Sequence, residues 1–206
     1  MRPYAEIAGK TYICSMHIGL FFGSFNPVHI GHMALANYMV SFTDLQQVWF
    51  VVSPHNPLKK KASLLDQNQR LHLVNLAIGD HPKLKSSNIE FALPQPSYTV
   101  NTLAHLAEKY PEHRFSLIIG EDNLETFPKW KNYEYILEHY DLYVYPRPGC
   151  QETPLHHHPR VKLTQAPFMD VSSTFIRDSL RSGKDVSFFM PLKAWEYADE
   201  MSFYRK

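Results

Sequence analysis

Short apolar runs alternate along this chain with longer stretches of helical periodicity, the pattern left by a parallel sheet whose strands are joined by crossover helices. Residues 18–22 form the first run, which ends at Gly23 before a loop containing Pro27. Met33, Ala36, Tyr38, Met39 and Val40 follow at helical spacing, and Val48, Trp49, Phe50, Val51 and Val52 make a second run of the fully buried kind. The alternation continues with a helix over 64–78 started by Ser63 and Asp66, a third strand over 89–93 and a helix over 99–110. Further strands are expected at 115–119, at 142–145 and, more weakly, near Val161, with short helices around Asn123 and Tyr133 and terminal helices from Thr174 and Pro191. The expected fold class is α/β, a single-domain doubly wound parallel sheet of Rossmann-like type with a helical C-terminus.

At 206 residues, 44% of them hydrophobic and 20% charged, the chain is long enough for one well-packed core and too apolar for disorder. Residues 18–206 are read as that domain and residues 1–17 as an N-terminal extension. Arg2, Glu6 and Lys10 interrupt the extension, and nowhere does an apolar stretch reach the roughly 18 residues that a spanning helix needs, so neither a secretory signal nor a membrane partner is expected. With 21 Lys+Arg against 20 Asp+Glu there is no global field to recruit nucleic acid, and any anion site must be local. Cys14 and Cys150 are the only cysteines, which argues against a disulfide scaffold and for a cytoplasmic setting. The composition is compatible with a homo-oligomer without requiring one.

In an open parallel sheet, ligands bind at the carboxyl ends of the strands, near the point where strand order reverses. The loop after the first strand reads Gly23-Ser24-Phe25-Asn26-Pro27-Val28-His29-Ile30-Gly31-His32. A helix start gathers unpaired N–H groups and a partial positive charge, which suits a polyphosphate. His29 and His32, three apart, fall on one face of the first turn, where both imidazoles can donate to phosphate oxygens, and Gly31 between them removes a side chain that would keep a flat base off the helix. An isolated pair of histidines at this spacing is usually structural; the strand and Gly–Pro loop before it set this pair apart. Zinc helices pair histidines at i and i+4 with a nearby acid, so no metal ligand is assigned here.

These residues resemble the nucleotidylyltransferase superfamily, whose mark is a G-x-F-x-P-x-H-x-G-H loop after the first strand. The resemblance implies phosphate-handling roles for His29, His32 and Ser24, with Gly23, Phe25 and Gly31 in the ATP-binding loop. Class I aminoacyl-tRNA synthetases share a related element, but 206 residues leave no room for their tRNA-binding appendages. Near the other end, Val171-Ser172-Ser173-Thr174-Phe175-Ile176-Arg177 is similar to the superfamily's I-S-S-T-x-I-R signature. Ser and Thr are preferred helix caps, and Arg177 one turn in can present a forked, permanent cation to a phosphate. Ser172, Ser173 and Thr174 are therefore expected at the nucleotide and Arg177 among the catalytic groups.

Ser97-Tyr98-Thr99-Val100-Asn101-Thr102-Leu103, Gly120-Glu121-Asp122 and Trp130 resemble the S-Y-T-x-D-T-L, G-x-D and downstream Trp elements of bacterial nicotinate-nucleotide adenylyltransferases. The resemblance runs from about Ile18 to Arg177. It implies Gly120 and Asp122 near ATP, and Tyr98, Thr99 and Trp130 around the pyridine ring of nicotinate mononucleotide. An indole offers a flat apolar face to that ring, and Thr99 at a helix start can meet its carboxylate. Asn101 departs from the usual acid. The segment from Pro54 to Lys61 is similar to a P-x-x-x-P-x-K loop whose basic residue lies near substrate phosphates, here Lys59; Lys60 and Lys61 are as readily a solvated run. His156, His157 and His158 invite a metal reading, but an exposed loop between Pro154 and Pro159 explains them at least as well, and no function is assigned to them. The family's chemistry implies ATP and nicotinate mononucleotide as substrates and Mg²⁺ held mainly by ATP phosphates. Nicotinamide mononucleotide or phosphopantetheine as acceptor, and a non-catalytic nucleotide sensor, are the alternatives.

Overall fold

A computed structural model describes residues 4–7, 10–13, 15–54 and 64–205. Strands β1 (Tyr4–Ile7) and β2 (Lys10–Ile13) pair antiparallel in a ribbon of their own. The rest of the described chain is built on one six-stranded sheet: β3 (His17–Gly23), β4 (Gln47–Val52), β5 (Leu84–Ser87), β6 (Arg114–Gly120), β7 (Leu142–Tyr145) and β8 (Val161–Leu163). The order is β5-β4-β3-β6-β7-β8, and every neighbouring pair is parallel. β3 lies between β4 and β6, so the chain moves outward first to one side and then to the other. The switch falls between β3 and β6, and the loops that follow those two strands flank the crevice there.

Helices cover both faces. α1 (Ile30–Phe42), α2 (Gln67–Ile78), α6 (Ser173–Arg181) and α7 (Leu192–Glu200) enclose a core containing Phe21, Phe50, Leu73, Ile176 and Ala194. α3 (Thr99–Lys109) and α5 (Tyr133–His139) close the other face over Leu20, Val51, Leu103, Leu117 and Ile136. The short α4 (Glu121–Thr126) follows β6 directly. Central strands flanked by helices on both sides are buried at successive positions, which is why the run 48–52 is continuous rather than alternating and 115–119 is broken only by the buried Ser116.

Two expectations are corrected. The third strand is Leu84–Ser87, while Ile89–Ala92 is a turn of 3₁₀ helix whose Ile89 and Glu90 are buried. An edge strand pairs on one side only and needs little apolar length, so Leu84-Lys85-Ser86-Ser87 left a weak signal beside the more apolar Ile89 and Phe91. α2 begins at Gln67 with Asp66 as its cap, the carboxylate accepting from the Asn68 N–H at 2.8 Å; Ser63 lies outside the described residues.

At the amino-terminal end of the strands, His17 bridges Asp44, at 3.2 Å, and the Ser116 hydroxyl, at 2.8 Å. The distances imitate a nucleophilic triad. Ser116 is fully buried, however, and the imidazole serves to pin β3 to β6.

Candidate active site

The loop after β3 is held from beneath. Phe25, 2% exposed and in the left-handed region at φ 45°, turns its ring into the core against Phe21 and Phe50. Phe25 therefore supports the loop rather than offering a face to a ligand. His29 caps α1, and its backbone N–H donates to His32 Nδ1 at 3.2 Å. A nitrogen that accepts carries no proton, so the neutral His32 ring has its proton on Nε2, where it can act as a donor. The two rings stack at 3.6 Å. A Cβ at Gly31 would be crowded, meeting His29 Nδ1 at 3.1 Å and Met169 Cβ at 3.4 Å. The space over Gly31 is bordered by the His29 ring itself, a different reason from the approach of a flat base expected from sequence.

Burial, with a smaller push from the Arg147 charge, lowers the His29 pKa to about 4. His29 is neutral near pH 7 and contributes a hydrogen-bonding ring, not a charge; its Nδ1 is buried without a partner. In the unfolded chain the same imidazole titrates near 6.5, so the unfolded state takes up the proton first as pH falls. Stability linked to His29 is complete above about pH 6.5 and is lost between there and pH 4. At about 1.4 kcal/mol per pKa unit the loss is on the order of 3 kcal/mol. Urea titrations at pH 7 and pH 4.5 should show a smaller pH-dependent fall for His29→Gln than for the parent; equal falls would contradict the assignment.

α6 is bolted to this loop. Arg177 donates from Nη1 to the Asn26 carbonyl at 2.7 Å and from Nη2 to Thr174 Oγ1 at 3.2 Å, and its buried Nε has no partner. Ser173 Oγ donates to the Pro27 carbonyl at 2.9 Å, and Ser172 Oγ accepts from the Phe175 N–H at 3.1 Å as the cap of α6. The Ser173 hydroxyl docks the helix, while those of Ser172 and Thr174 accept, from the Phe175 N–H and from Arg177, and keep their own O–H donors. What the helix start offers an anion is its backbone N–H groups and dipole, together with the Arg177 guanidinium.

Between the ends of β3 and β6 lies a cavity of about 320 Å³. Gly23, Ser24 and Gly120 line it on the sheet side, and Tyr98, Thr99 and Trp130 on the other. Tyr98 caps α3 and Thr99 is its first residue, so the helix start faces the same space. Trp130 packs on Phe127 at 5.0 Å, which fixes the indole without burying it. Asp122, in the first turn of α4, is exposed, and the Asn123 amide donates to its Oδ1 at 3.2 Å. His29, His32, Arg177, Asp122 and the 172–174 turn do not line this cavity; they are tied to it through the 23–29 loop and through α4. Lys59 lies outside the described residues.

The cytidylyltransferase-like family profile matches residues 20–179. The probable nicotinate-nucleotide adenylyltransferase of Flavobacterium johnsoniae is 56% identical over 193 residues, covering 93% of this chain and 100% of the relative. The chain belongs to the nicotinate-nucleotide adenylyltransferases, within the cytidylyltransferase-like family. The protein of the same name from Bacteroides thetaiotaomicron is 48% identical over 182 residues, covering 88% of this chain and 90% of its own. The fold is shared with the Plasmodium falciparum nicotinic acid mononucleotide adenylyltransferase complexed with NaAD, at TM-score 0.78 and 17% identity, with 92% of this chain and 97% of that one covered.

Three residues of this adenylyltransferase family member escape a motif-based reading. Arg147 follows β7, stands 5.2 Å over the Tyr145 ring and has its buried Nε 3.9 Å from Asp122; its charge adds a smaller push to the lowered His29 pKa. It sits in a strand-end loop, which the sheet rule marks for ligand contact. Glu90 is a buried carboxylate at the cavity wall, accepting from Thr102 Oγ1 at 2.8 Å and Ser97 Oγ at 3.2 Å, with its pKa raised by burial. It ties the 97–102 segment in place. Arg70, fully buried in α2, donates to the carbonyls of Ser24 at 2.6 Å, Ser53 at 2.7 Å, Pro54 at 2.9 Å and Leu65 at 2.8 Å. It fastens the loops after β3 and β4 to one another.

His156 differs from its expected exposure. Its side chain is 6% exposed and its Nε2 lies 3.1 Å from Glu121 Oε1, so it holds the loop after β7 against α4; His157 stays in solvent. Asn101 is exposed on α3.

Proposed function

We propose that this protein transfers the adenylyl group of ATP to nicotinate mononucleotide, yielding deamido-NAD and pyrophosphate. The observation that carries the reading is the cavity between β3 and β6, with the phosphate loop at one wall and the Tyr98, Thr99 and Trp130 set at the other. The name shared by the bacterial relatives agrees with it, as does the NaAD held by the Plasmodium enzyme. A nicotinate ring on the Trp130 face would bring its carboxylate to the positive start of α3.

The acceptor phosphate is already ionised near neutral pH, so one of its oxygens attacks the α-phosphorus without a general base. A new P–O bond forms, the bond to the bridging oxygen between the α- and β-phosphorus breaks, and that electron pair leaves on pyrophosphate. The protein aligns the two nucleotides and offsets charge as it shifts toward the leaving group. His32 Nε2–H donates to phosphate oxygen, the neutral His29 stacks beneath it, and Arg177 and Arg147 supply the permanent positive charge. Mg²⁺, held by triphosphate oxygens and water, would supply further charge compensation. Among the described residues no cluster of three His, Cys, Asp or Glu able to hold a metal ion occurs. The reaction is placed in the cytoplasm on the cysteine count; no described helix is long and apolar enough to cross a membrane.

Pyrophosphate release tests the reading: it should require ATP and nicotinate mononucleotide together, and release from ATP alone, or only with phosphopantetheine, would refute it. The ring subsite has its own test. Trp130→Ala should weaken nicotinate mononucleotide by roughly tenfold or more while leaving ATP within about threefold, as read by calorimetry. Equal losses for both would undo the stacking assignment.

A further inference from the structure

Asn26 joins four parts of the fold. Its carbonyl accepts from Arg177 on α6 at 2.7 Å. Its side-chain Oδ1 accepts from the Leu65 N–H, ahead of α2, at 3.2 Å, and from the Tyr204 hydroxyl at 2.9 Å. Asn26 is 4% exposed, so these donors have no solvent competitor at that oxygen. Tyr204 is 178 residues away in sequence, in the turn that follows α7.

That turn is shaped for the contact. Ser202 at φ 53° and Tyr204 at φ 65° both occupy the left-handed region, which residues with a side chain seldom adopt unless surrounding structure holds them there. Phe203 packs edge-on to Tyr197 at 5.7 Å and so fixes the turn to α7, while Tyr197 donates to Gln69 on α2 at 2.8 Å. The half-buried Tyr204 turns its hydroxyl onto Asn26, the residue whose carbonyl Arg177 also holds.

We propose that Tyr204 is a positioning residue for the reaction, setting the aim of Arg177 by holding Asn26. Arg177 has two hydrogen-bonded nitrogens, one on the Asn26 carbonyl and one on Thr174, its neighbour on α6. Asn26 is therefore the one contact among these two that lies outside the arginine's own helix, and it relates the guanidinium to the histidine loop. A tyrosine that only stabilised the fold would lower the melting temperature and leave Arg177's contribution to turnover intact. A tyrosine that positions Arg177 has an effect that disappears when Arg177 is gone.

The inference rests on the adenylyl-transfer reading, and a double-mutant cycle separates the two. Tyr204→Phe removes one hydroxyl and should lower kcat about tenfold, with the affinity for nicotinate mononucleotide unchanged. In an Arg177→Ala background the same substitution should change kcat by less than twofold. The same factor in both backgrounds, or a lower melting temperature with unaltered kcat, overturns the proposal. Asn26→Ala in place of Tyr204→Phe removes the contact from the other side and serves if the tyrosine variant does not fold. If the parent protein forms no product from nicotinate mononucleotide, the functional reading is what fails. The cycle is then read in ATP affinity by calorimetry, where coupling between Tyr204 and Arg177 still supports the positioning role and additivity still overturns it.

Discussion

His32→Ala is expected to reduce kcat by a hundredfold or more while leaving the fold intact. The expectation follows from where the ring's hydrogen bonds go. His32 Nδ1 is taken by the His29 backbone N–H, which leaves Nε2–H as the donor, and stacking on His29 at 3.6 Å holds that donor in one orientation before substrate arrives. A donor fixed in advance toward a shifting charge lowers the barrier by about 3 kcal/mol in comparable sites, because nothing reorganises at the moment of reaction. Single-turnover kinetics with saturating ATP and nicotinate mononucleotide would measure the loss, and circular dichroism would check the fold. A variant with near-native kcat would show that the histidine loop binds without stabilising the transition state. His29→Ala is a different experiment: that ring is buried and neutral, so its removal perturbs packing as well as the donor set.

The largest effect on stability is expected at Arg70. Replacing it with Met keeps the stem and removes donors to four carbonyls, those of Ser24, Ser53, Pro54 and Leu65. Relaxation would let some of those oxygens reach water, so the cost is less than four separate hydrogen bonds lost in a dry interior. About 4 kcal/mol is the expected loss. It should appear in urea denaturation as a lower midpoint at an unchanged slope. Arg70→Lys should recover only part, since an ammonium has three donors radiating from one point and cannot span carbonyls on three segments. A loss below 1 kcal/mol for Arg70→Met would mean that the loops after β3 and β4 hold their places without it. Because the Ser24 carbonyl is one of the four, KM for ATP should rise in whatever fraction of Arg70→Met remains folded.

The sheet was legible because buried parallel strands need continuous apolar runs, and β3, β4, β6 and β7 all have them. β5 was not, since an edge strand of Leu84, Lys85, Ser86 and Ser87 needs neither apolar length nor alternation. The loop from Gly23 to His32 and the turn from Ser172 to Arg177 were legible as motifs, and the fold brings them into hydrogen-bonded contact through Asn26 and Pro27. Their internal division of labour was not legible. Spacing places His29 and His32 on one face, but only the packed structure shows that one ring is buried and neutral and that the serine hydroxyls cap and dock α6. Arg70 and Tyr204 carry no local signal at all. Each acts on backbone or side-chain oxygens from segments distant in sequence, and such contacts exist only after the chain has folded.

The central claim is that the cavity between β3 and β6 selects an acidic pyridine mononucleotide as the acceptor for AMP. Its most direct test is the ratio of kcat/KM for nicotinate over nicotinamide mononucleotide, each with ATP, with the dinucleotide product identified by mass. A carboxylate at the start of α3 gains from the helix dipole and from a hydrogen bond to a charged group, neither of which an amide reproduces, so a preference on the order of a hundredfold for the acid is expected. A ratio near one, or a preference for the amide, would contradict the account.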